Sequence, residues 1–427
     1  MTELASDDNM TANVAQSVQN ERVTREEKRA PALLFLCHRI PYPPNKGEKI
    51  RAFHVLSHLA RSHAIHLGCM VDDAADLVHV DALRDICASI GCFTIRPFWQ
   101  RVRAVVGVRP DRPLTADIFY SRGLARWIDD TLSREMVRRI FVFSSGMAGY
   151  AIGRPGEIRV FDMADVDSEK WQAYSQHHHW PMAAIYRREA RTLLALERQA
   201  ALNFDTTLFV SEAEAARFTT LAPESRDRIR WLDNGVDLET FSPHLSFDCP
   251  FAEATANIVF TGTMDYWPNV DAVVWFAERV LPALRQRRPA IQFHVVGAKP
   301  SGRVLQLRQL PAVNVTGWVP DVRPFLAHAD VAVAPLRVAR GTQNKVLEAM
   351  AMGRPVIATP EAFEGLRAVP GRDLLLCSDP EEMVQRIIEI LDGRHPSLGI
   401  AARRAVEHHY RWAETLAPLD DLFPPEE

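Results

Sequence analysis

The chain is punctuated by short apolar runs rich in β-branched residues, each the length of one strand and each separated from the next by a stretch of helical periodicity. The runs fall at 32–37, 65–71, 139–143, 158–163 and 207–210, and a second series follows at 257–260, 291–296, 313–319, 331–336, 355–358 and 374–376. Continuous apolar runs of this length are how strands buried on both faces of a parallel sheet read, and their alternation with helices is the pattern of open α/β sheets. A chain of 427 residues also exceeds what one hydrophobic core organises. The expectation is two Rossmann-like α/β domains.

Between the two series, periodicity is lost and turn formers crowd together, in Asn234-Gly235-Val236-Asp237, in Phe241-Ser242-Pro243 and on to Pro250. The linker is placed there. The resulting division is a polar extension over 1–30, expected to be disordered, a first domain over 31–238, a second over 239–402, and a segment over 403–427 read as a helix returning to the first domain.

Composition narrows the function. The formal net charge of -4 gives no basic stripe of the kind that binds nucleic acid. The six cysteines are scattered, without a C-x-x-C pair or zinc spacing, as suits a reducing compartment. Neither a signal-peptide pattern nor an apolar run long enough to span a bilayer is present, so a cytoplasmic protein is expected.

Two loops can carry chemistry. The first strand ends in His38-Arg39-Ile40-Pro41-Tyr42-Pro43-Pro44-Asn45-Lys46-Gly47, ahead of a helix predicted from about Glu48 to Ala60. Ligands of open α/β sheets sit beyond the carboxyl ends of strands, where a glycine lets backbone N–H groups approach an anion. Lys46 and Gly47 suit that role, and a proline-stiffened loop with a capping glycine is the plain alternative. The spacing is not G-x-G-x-x-G, so no nicotinamide cofactor is expected. The second loop follows the strand at 331–336 and leads through Arg340-Gly341-Thr342 into a helix predicted to begin near Thr342. Lys345 and Glu348, three apart, share one face of it. A carboxylate there can accept from ribose hydroxyls while the lysine meets a diphosphate; alone, the pair would read as a surface ion pair.

Taken in order, these segments resemble family 4 (group 1) glycosyltransferases. The resemblance is carried by the Lys46-Gly47 loop, Val210-Ser211-Glu212, Asn234-Gly235-Val236-Asp237 with Phe241 and Pro243, the run from Phe260 through Gly262 and Thr263 to Asn269, Gly317-Trp318-Val319-Pro320-Asp321, and the Lys345 to Gly353 segment. The Arg39 to Arg51 stretch and Asp165-Val166-Asp167-Ser168-Glu169-Lys170-Trp171 look closest to sugar transferases associated with exosortase (PEP-CTERM) exopolysaccharide systems. The resemblance implies a GT-B fold, two Rossmann-like domains facing each other across a cleft. It also implies a retaining transferase that moves a sugar from a nucleotide-sugar donor to a glycan or polyprenyl-diphosphate-linked acceptor.

On that reading Gly47, Gly262, Thr263, Asn269, Val319, Gly341, Thr342, Lys345 and Glu348 face the donor. Lys46, Glu48 and Arg51 face the acceptor, and Arg340, Lys345, Glu348 and Asp165 are the catalytic candidates. Two departures stand out. The family's two glutamates lie eight apart, and here the earlier position is Arg340. The arginine and lysine that often follow the second domain's first strand are replaced by Thr263 and Asn269. No metal or cofactor is expected, since transfer calls for preorganised positive charge.

Asp165 and Asp167 also form a D-x-D pattern that can hold a divalent ion, although Asp167 or Ser168 equally caps the next helix. His177, His178 and His179 are successive and cannot address one ion together. The arginine- and aromatic-rich stretch 96–103, with Arg109 and Arg112, suits either a solvated face or peripheral contact with the inner face of a membrane. A non-catalytic sugar-nucleotide-binding protein or a sugar-nucleotide epimerase of the same architecture stays open.

Overall fold

The computed structural model describes residues 30–95, 111–253 and 255–424. The stretch 96–103 with Arg109, and most of the 1–30 extension, lie outside them. The described chain forms two wholly parallel sheets. The first has seven strands in the order β3-β2-β1-β4-β5-β6-β7: β1 (Ala32–Cys37), β2 (Ala64–Val71), β3 (Cys87–Thr94), β4 (Arg139–Phe143), β5 (Ile158–Ala164), β6 (Thr206–Phe209) and β7 (Ile229–Trp231). The second has six in the order β10-β9-β8-β11-β12-β13: β8 (Ala256–Thr261), β9 (Ile291–Val296), β10 (Val313–Gly317), β11 (Val331–Ala334), β12 (Val356–Ala358) and β13 (Leu375–Leu376).

Each sheet reverses strand order beside its first strand, between β1 and β4 and between β8 and β11. Such switch points open a crevice beyond the carboxyl ends of the strands, where ligands of this architecture bind. Burial on both faces explains the continuous apolar runs. In β1, Leu34 and Leu36 enter one core cluster while Leu33, Phe35 and Cys37 enter another.

The two crossings between the domains run side by side. Val236 N–H donates to Tyr410 O at 2.8 Å, and Val236 bridges Arg411 in parallel. The tail departs from the expected single helix. Helix Leu398–His409 packs in the second core through Leu398, Ala402 and Val406. The chain then crosses at Tyr410 and Arg411, and Leu416, Leu419 and Phe423 are buried in a core of the first domain. The Trp412 ring stacks on His54 with centroids 4.2 Å apart.

Arg51 is also corrected. It was expected to face an acceptor, yet it is 1 % exposed and inside the first domain. Its guanidinium is bidentate to Asp162 at 2.8 and 3.1 Å, and donates to Leu232 O at 2.8 Å and Asn234 Oδ1 at 3.0 Å. Its helix (Gly47–Leu59) is amphipathic, and residue 51 lies on the inner side with Ala52, Val55 and Leu59. Arg51→Met therefore strands a buried carboxylate and is expected to cost about 3–5 kcal/mol, whereas Arg51→Met with Asp162→Leu recovers much of it. Urea denaturation of both variants decides this; an unchanged midpoint in the single variant would contradict it.

Candidate active site

The loop after β11 and the helix it feeds form one wall of the cleft. The helix spans Asn344–Ala351, with Gln343 as its N-cap, so it begins two residues later than expected and Gly341 and Thr342 belong to the loop. Its buried stripe of Val346, Leu347, Ala349 and Met350 anchors it on the second core and leaves Lys345 and Glu348 on the half-buried side. Lys345 Nζ donates to Asn269 Oδ1 at 2.6 Å and lies 4.8 Å from the centre of the Phe260 ring. Asn269 Nδ2 in turn donates to Thr263 O at 2.9 Å. A Cβ on Gly262, at φ +156, would stand 2.7 Å from that amide nitrogen, so the glycine makes room for the residue that aims the lysine.

Lys345 and Glu348 are not an exposed ion pair. No salt bridge joins them among the described residues, and no described protein group donates to the carboxylate of Glu348. Burial lowers the Lys345 ammonium to about 8, with Glu348 partly opposing. Burial likewise raises the Glu348 carboxyl to about 7, with Lys345 partly opposing. Two charges held half-buried without mutual contact are the mark of a site rather than of a structural pair.

The opposite wall belongs to the first domain. Asp165 follows β5, directly after Ala164, which adopts φ +65, a conformation strained for a residue with a side chain. Lys170 Nζ donates to Asp165 Oδ2 at 2.8 Å and to Asp167 Oδ1 at 3.0 Å. Its ammonium thus sits between the two carboxylates of the D-x-D pattern, where an ion would have to lie. Among the described residues no cluster of three or more His, Cys, Asp or Glu is arranged to hold a metal. Asp167 opens helix Asp167–His177, while Ser168 Oγ and N–H bond the buried Glu197. His178 Nδ1 lies 2.9 Å from Tyr174 O and its ring packs on Tyr186, so it is a packing residue of the helical hairpin.

The walls meet along a seam. A Cβ on Gly341, at φ +63, would fall 1.8 Å from Asp165 Oδ1. Thr342 Oγ1 donates to Val210 O at 3.3 Å, and Asn234 Nδ2 to Asn344 Oδ1 at 3.2 Å. The buried Arg51 thereby acts at second hand, fixing Asn234, which reaches the start of helix Asn344–Ala351. Gly47 stands opposite the same point, since a Cβ there would lie 3.6 Å from Asn344 Nδ2.

Arg340 lies 3.7 Å from Glu169 of the first domain and 3.8 Å from Glu364 of its own. Arg217 pairs with the same Glu169 and lies 3.8 Å from Glu364. Four alternating charges, two from each domain, therefore close this edge. Arg340 is one of the catalytic candidates, and its charge is opposed by two carboxylates.

Glu48 pairs with Arg39, which also binds Asp72 at 2.8 Å; Lys46 is partly exposed at the N-cap of helix Gly47–Leu59. Val319 packs against the second core beside Trp318, which is 73 % exposed. Residues that sequence reasoning passed over include His38, Glu169, Lys170, Arg217 and Glu364. His38, at the first switch point, has a buried Nδ1 without a partner, and burial lowers the imidazole to about 4. Its place directly after β1 was the only signal.

Residues 255–393, spanning the strands β8–β13 and the helix with Lys345 and Glu348, match the family described as "Glycosyl transferases group 1". That match covers the second domain. No curated protein matches the chain in sequence. Solved structures match the chain over nearly its whole length. A sucrose-phosphate synthase from Thermosynechococcus elongatus has a TM-score of 0.66 at 14 % identity, covering 92 % of this chain and 98 % of its own. HepE from Anabaena, in complex with UDP and glucose, gives 0.63 at 14 %, with the same coverage. WaaG, a glycosyltransferase involved in lipopolysaccharide biosynthesis, gives 0.63 at 16 % identity over 92 % of this chain and 100 % of its own. The fold of the chain is GT-B, two Rossmann-like domains with the cleft between them. No helix among its described residues is long and apolar enough to cross a membrane.

Proposed function

We propose that this glycosyltransferase moves a sugar, with retention, from a nucleotide-sugar donor to a hydroxyl of a glycan or lipid-linked glycan acceptor in exopolysaccharide synthesis. The observation that carries the reading is the Lys345–Glu348 pair, half-buried at the crevice and separately available. Glu348 is offered to the ribose hydroxyls and Lys345, steered by Asn269, to the diphosphate. The diphosphate is a leaving group that gains charge as the sugar departs, so a fixed cation stabilises the transition state more than the bound donor. Gly341 and Thr342 supply backbone beside it, Val319 lines the base, and Lys46 and Glu48 face the acceptor. That a structural neighbour is in complex with UDP-glucose favours a uridine nucleotide. Retention and the exopolysaccharide role rest on the sequence resemblance, and transfer is expected to persist in excess EDTA.

Calorimetry with a panel of nucleotide sugars, followed by turnover, tests the reading. Glu348→Ala is expected to weaken donor and free nucleoside alike by about 1.5–3 kcal/mol, the size of a hydrogen bond to a charged group. Lys345→Ala is expected to weaken diphosphate ligands selectively and to lower kcat further than affinity. Near-wild-type binding and turnover in both folded variants would defeat the assignment.

A further inference from the structure

The helical hairpin of the first domain ends in an apolar tip that no described residue covers. Helices Asp167–His177 and Met182–Asn203 are joined by a short turn, and around it Trp180 is 83 % exposed and Met182 and Ile185 40 % each. Trp180 is the most exposed large apolar side chain among the described residues. Single exposed apolar residues are ordinary, but a group of them at one point marks a contact surface. The tip is braced from behind. Trp171 and Tyr186 pack with ring centres 5.4 Å apart, Tyr174 lies 6.2 Å from Tyr186, and His178 closes on Tyr186 at 5.1 Å.

The charges of the hairpin are sorted. All four of its acids are committed: Asp167 to Lys170, Glu169 to Arg217, Glu189 to the N–H groups of Leu114 and Thr115, and Glu197 to Ser168. Arg188 lies 3.8 Å from Glu189, and Arg198 bonds Glu224 at 2.6 Å. Arg187 and Arg191 are exposed, four apart on one side of the helix, and have no acidic partner among the described residues. Arg187 donates to Ala183 O at 3.3 Å, a backbone contact that leaves its charge unopposed. A rise of 1.5 Å per residue puts the two arginines roughly 3 and 9 Å behind Ile185 along the helix axis. A chain of formal net charge -4 thus presents a positive collar just behind an apolar point.

That order of layers is the order of a bilayer surface. Tryptophan favours the headgroup boundary, aliphatic side chains the acyl region beneath it, and arginine the phosphates above. A second copy of this chain fits less well. A two-fold contact through the tip sets Arg187 and Arg191 of each copy against the same arginines of the other, and three apolar side chains fall far short of the roughly 20–30 residues a side of a stable interface. We infer that the hairpin tip, Trp180, Met182 and Ile185 with Arg187 and Arg191 behind them, docks the protein on a bilayer of anionic phospholipid. The inference goes beyond the transfer reaction and does not rest on it. Docking here also orients the cleft, because the helix that ends at the tip begins about 16 Å away at Asp167. The same helix meets the second domain where the Tyr174 ring lies 6.1 Å from that of Trp267.

Flotation of the full chain with vesicles tests this, comparing phosphatidylcholine and phosphatidylglycerol in equal parts with phosphatidylcholine alone. The wild type is expected to float with the mixed vesicles, to float poorly with phosphatidylcholine, and to lose affinity as salt screens the arginines. Trp180→Ala with Ile185→Ser is expected to lower affinity for the mixed vesicles about tenfold or more, at low salt too, because insertion rather than charge is removed. Arg187→Glu with Arg191→Glu is expected to abolish the preference for phosphatidylglycerol. Arg122→Glu with Arg126→Glu, which reverses two exposed arginines on helix Arg122–Arg134, should float as the wild type does. All six positions are exposed, so each variant should keep the wild-type melting temperature.

Wild type that fails to float with the mixed vesicles overturns the inference. So does flotation unmoved in the folded tip variants, since another surface then does the binding. A loss in Arg122→Glu with Arg126→Glu as large as that in Arg187→Glu with Arg191→Glu overturns it as well, because net charge alone then explains attachment. A wild-type dimer in light scattering that Trp180→Ala with Ile185→Ser dissociates assigns the tip to a second copy and sinks the bilayer. Donor binding and turnover without vesicles are read separately, so the transferase reading stands or falls on its own.

Discussion

Gly341→Ala is expected to lower sugar transfer by about a hundredfold or more while leaving both domains folded, since displacing reacting groups by about 1 Å is enough for such a loss. The added methyl would stand 1.8 Å from Asp165 Oδ1, far inside contact distance, on a backbone at φ +63. The backbone term alone costs about 1–2 kcal/mol for a residue with a Cβ, and it is local to a loop. The clash is between domains, and it is relieved simply by keeping them apart. Donor affinity, proposed to rest mainly on Lys345 and Glu348, should fall less than transfer does. Small-angle scattering with donor present should show the variant remaining more extended than the wild type. Asp165→Gly in the same background should restore closure. Transfer within fivefold of wild type in Gly341→Ala would show that the seam does not close during catalysis.

Donor kcat/KM is expected to follow a narrow bell, rising through about pH 7 and falling through about pH 8. Glu348 must be ionised to accept from ribose, and burial holds its carboxyl at about 7. Lys345 must be protonated to meet the diphosphate, and burial holds its ammonium down at about 8. Because the two groups interact, the limbs report the pair rather than either residue alone.

Stability without ligand runs the other way. The Glu348 pKa is raised above its ordinary 4.5, so its contribution is full below that value and is lost as pH rises through about 7. The Lys345 pKa is depressed below its ordinary 10.5, so its contribution is full above that value and is lost as pH falls through about 8. Between the two, the empty site holds both charges at a cost that bound nucleotide sugar relieves. Donor-induced thermal stabilisation should accordingly be greatest there. Glu348→Gln should remove the acid limb and keep the alkaline one; an acid limb that persists would mean that another group sets it.

The strands inside the sheets were legible because they are buried on both faces. β1, β4 and β9 appear as their apolar runs, residue for residue. The edges were not. β3 reads Cys-Ala-Ser-Ile-Gly-Cys-Phe-Thr, small and half-polar, because it pairs on one side only; β7 has three residues, two of them exposed. The Lys345–Glu348 face was legible from its spacing, since both residues lie within one helix. The other side of the cleft was harder. Arg51 and Glu48 sit in one stretch of sequence with Lys46, yet one is inside the domain and another is paired with Arg39. Only the distant Asp162, Asn234 and Asp72 determine that outcome. Nor can spacing show that Gly341 meets Asp165 or that Arg340 meets Glu169, because each pair lies more than a hundred residues apart and meets only across the seam.

The burial of Leu416, Leu419 and Phe423 in the first domain has a consequence for synthesis. Domains ordinarily fold in turn as they leave the ribosome, the amino-terminal one first. Here the first domain emerges with part of its inner surface uncovered, and the residues that cover it arrive only after the entire second domain has been made. Until then Phe141 has its stacked neighbour Phe35 but lacks Phe423, and His54 lacks Trp412. The nascent first half therefore exposes that apolar surface throughout translation of the second, and shortening the chain before residue 416 removes a layer of core from the domain that was made first.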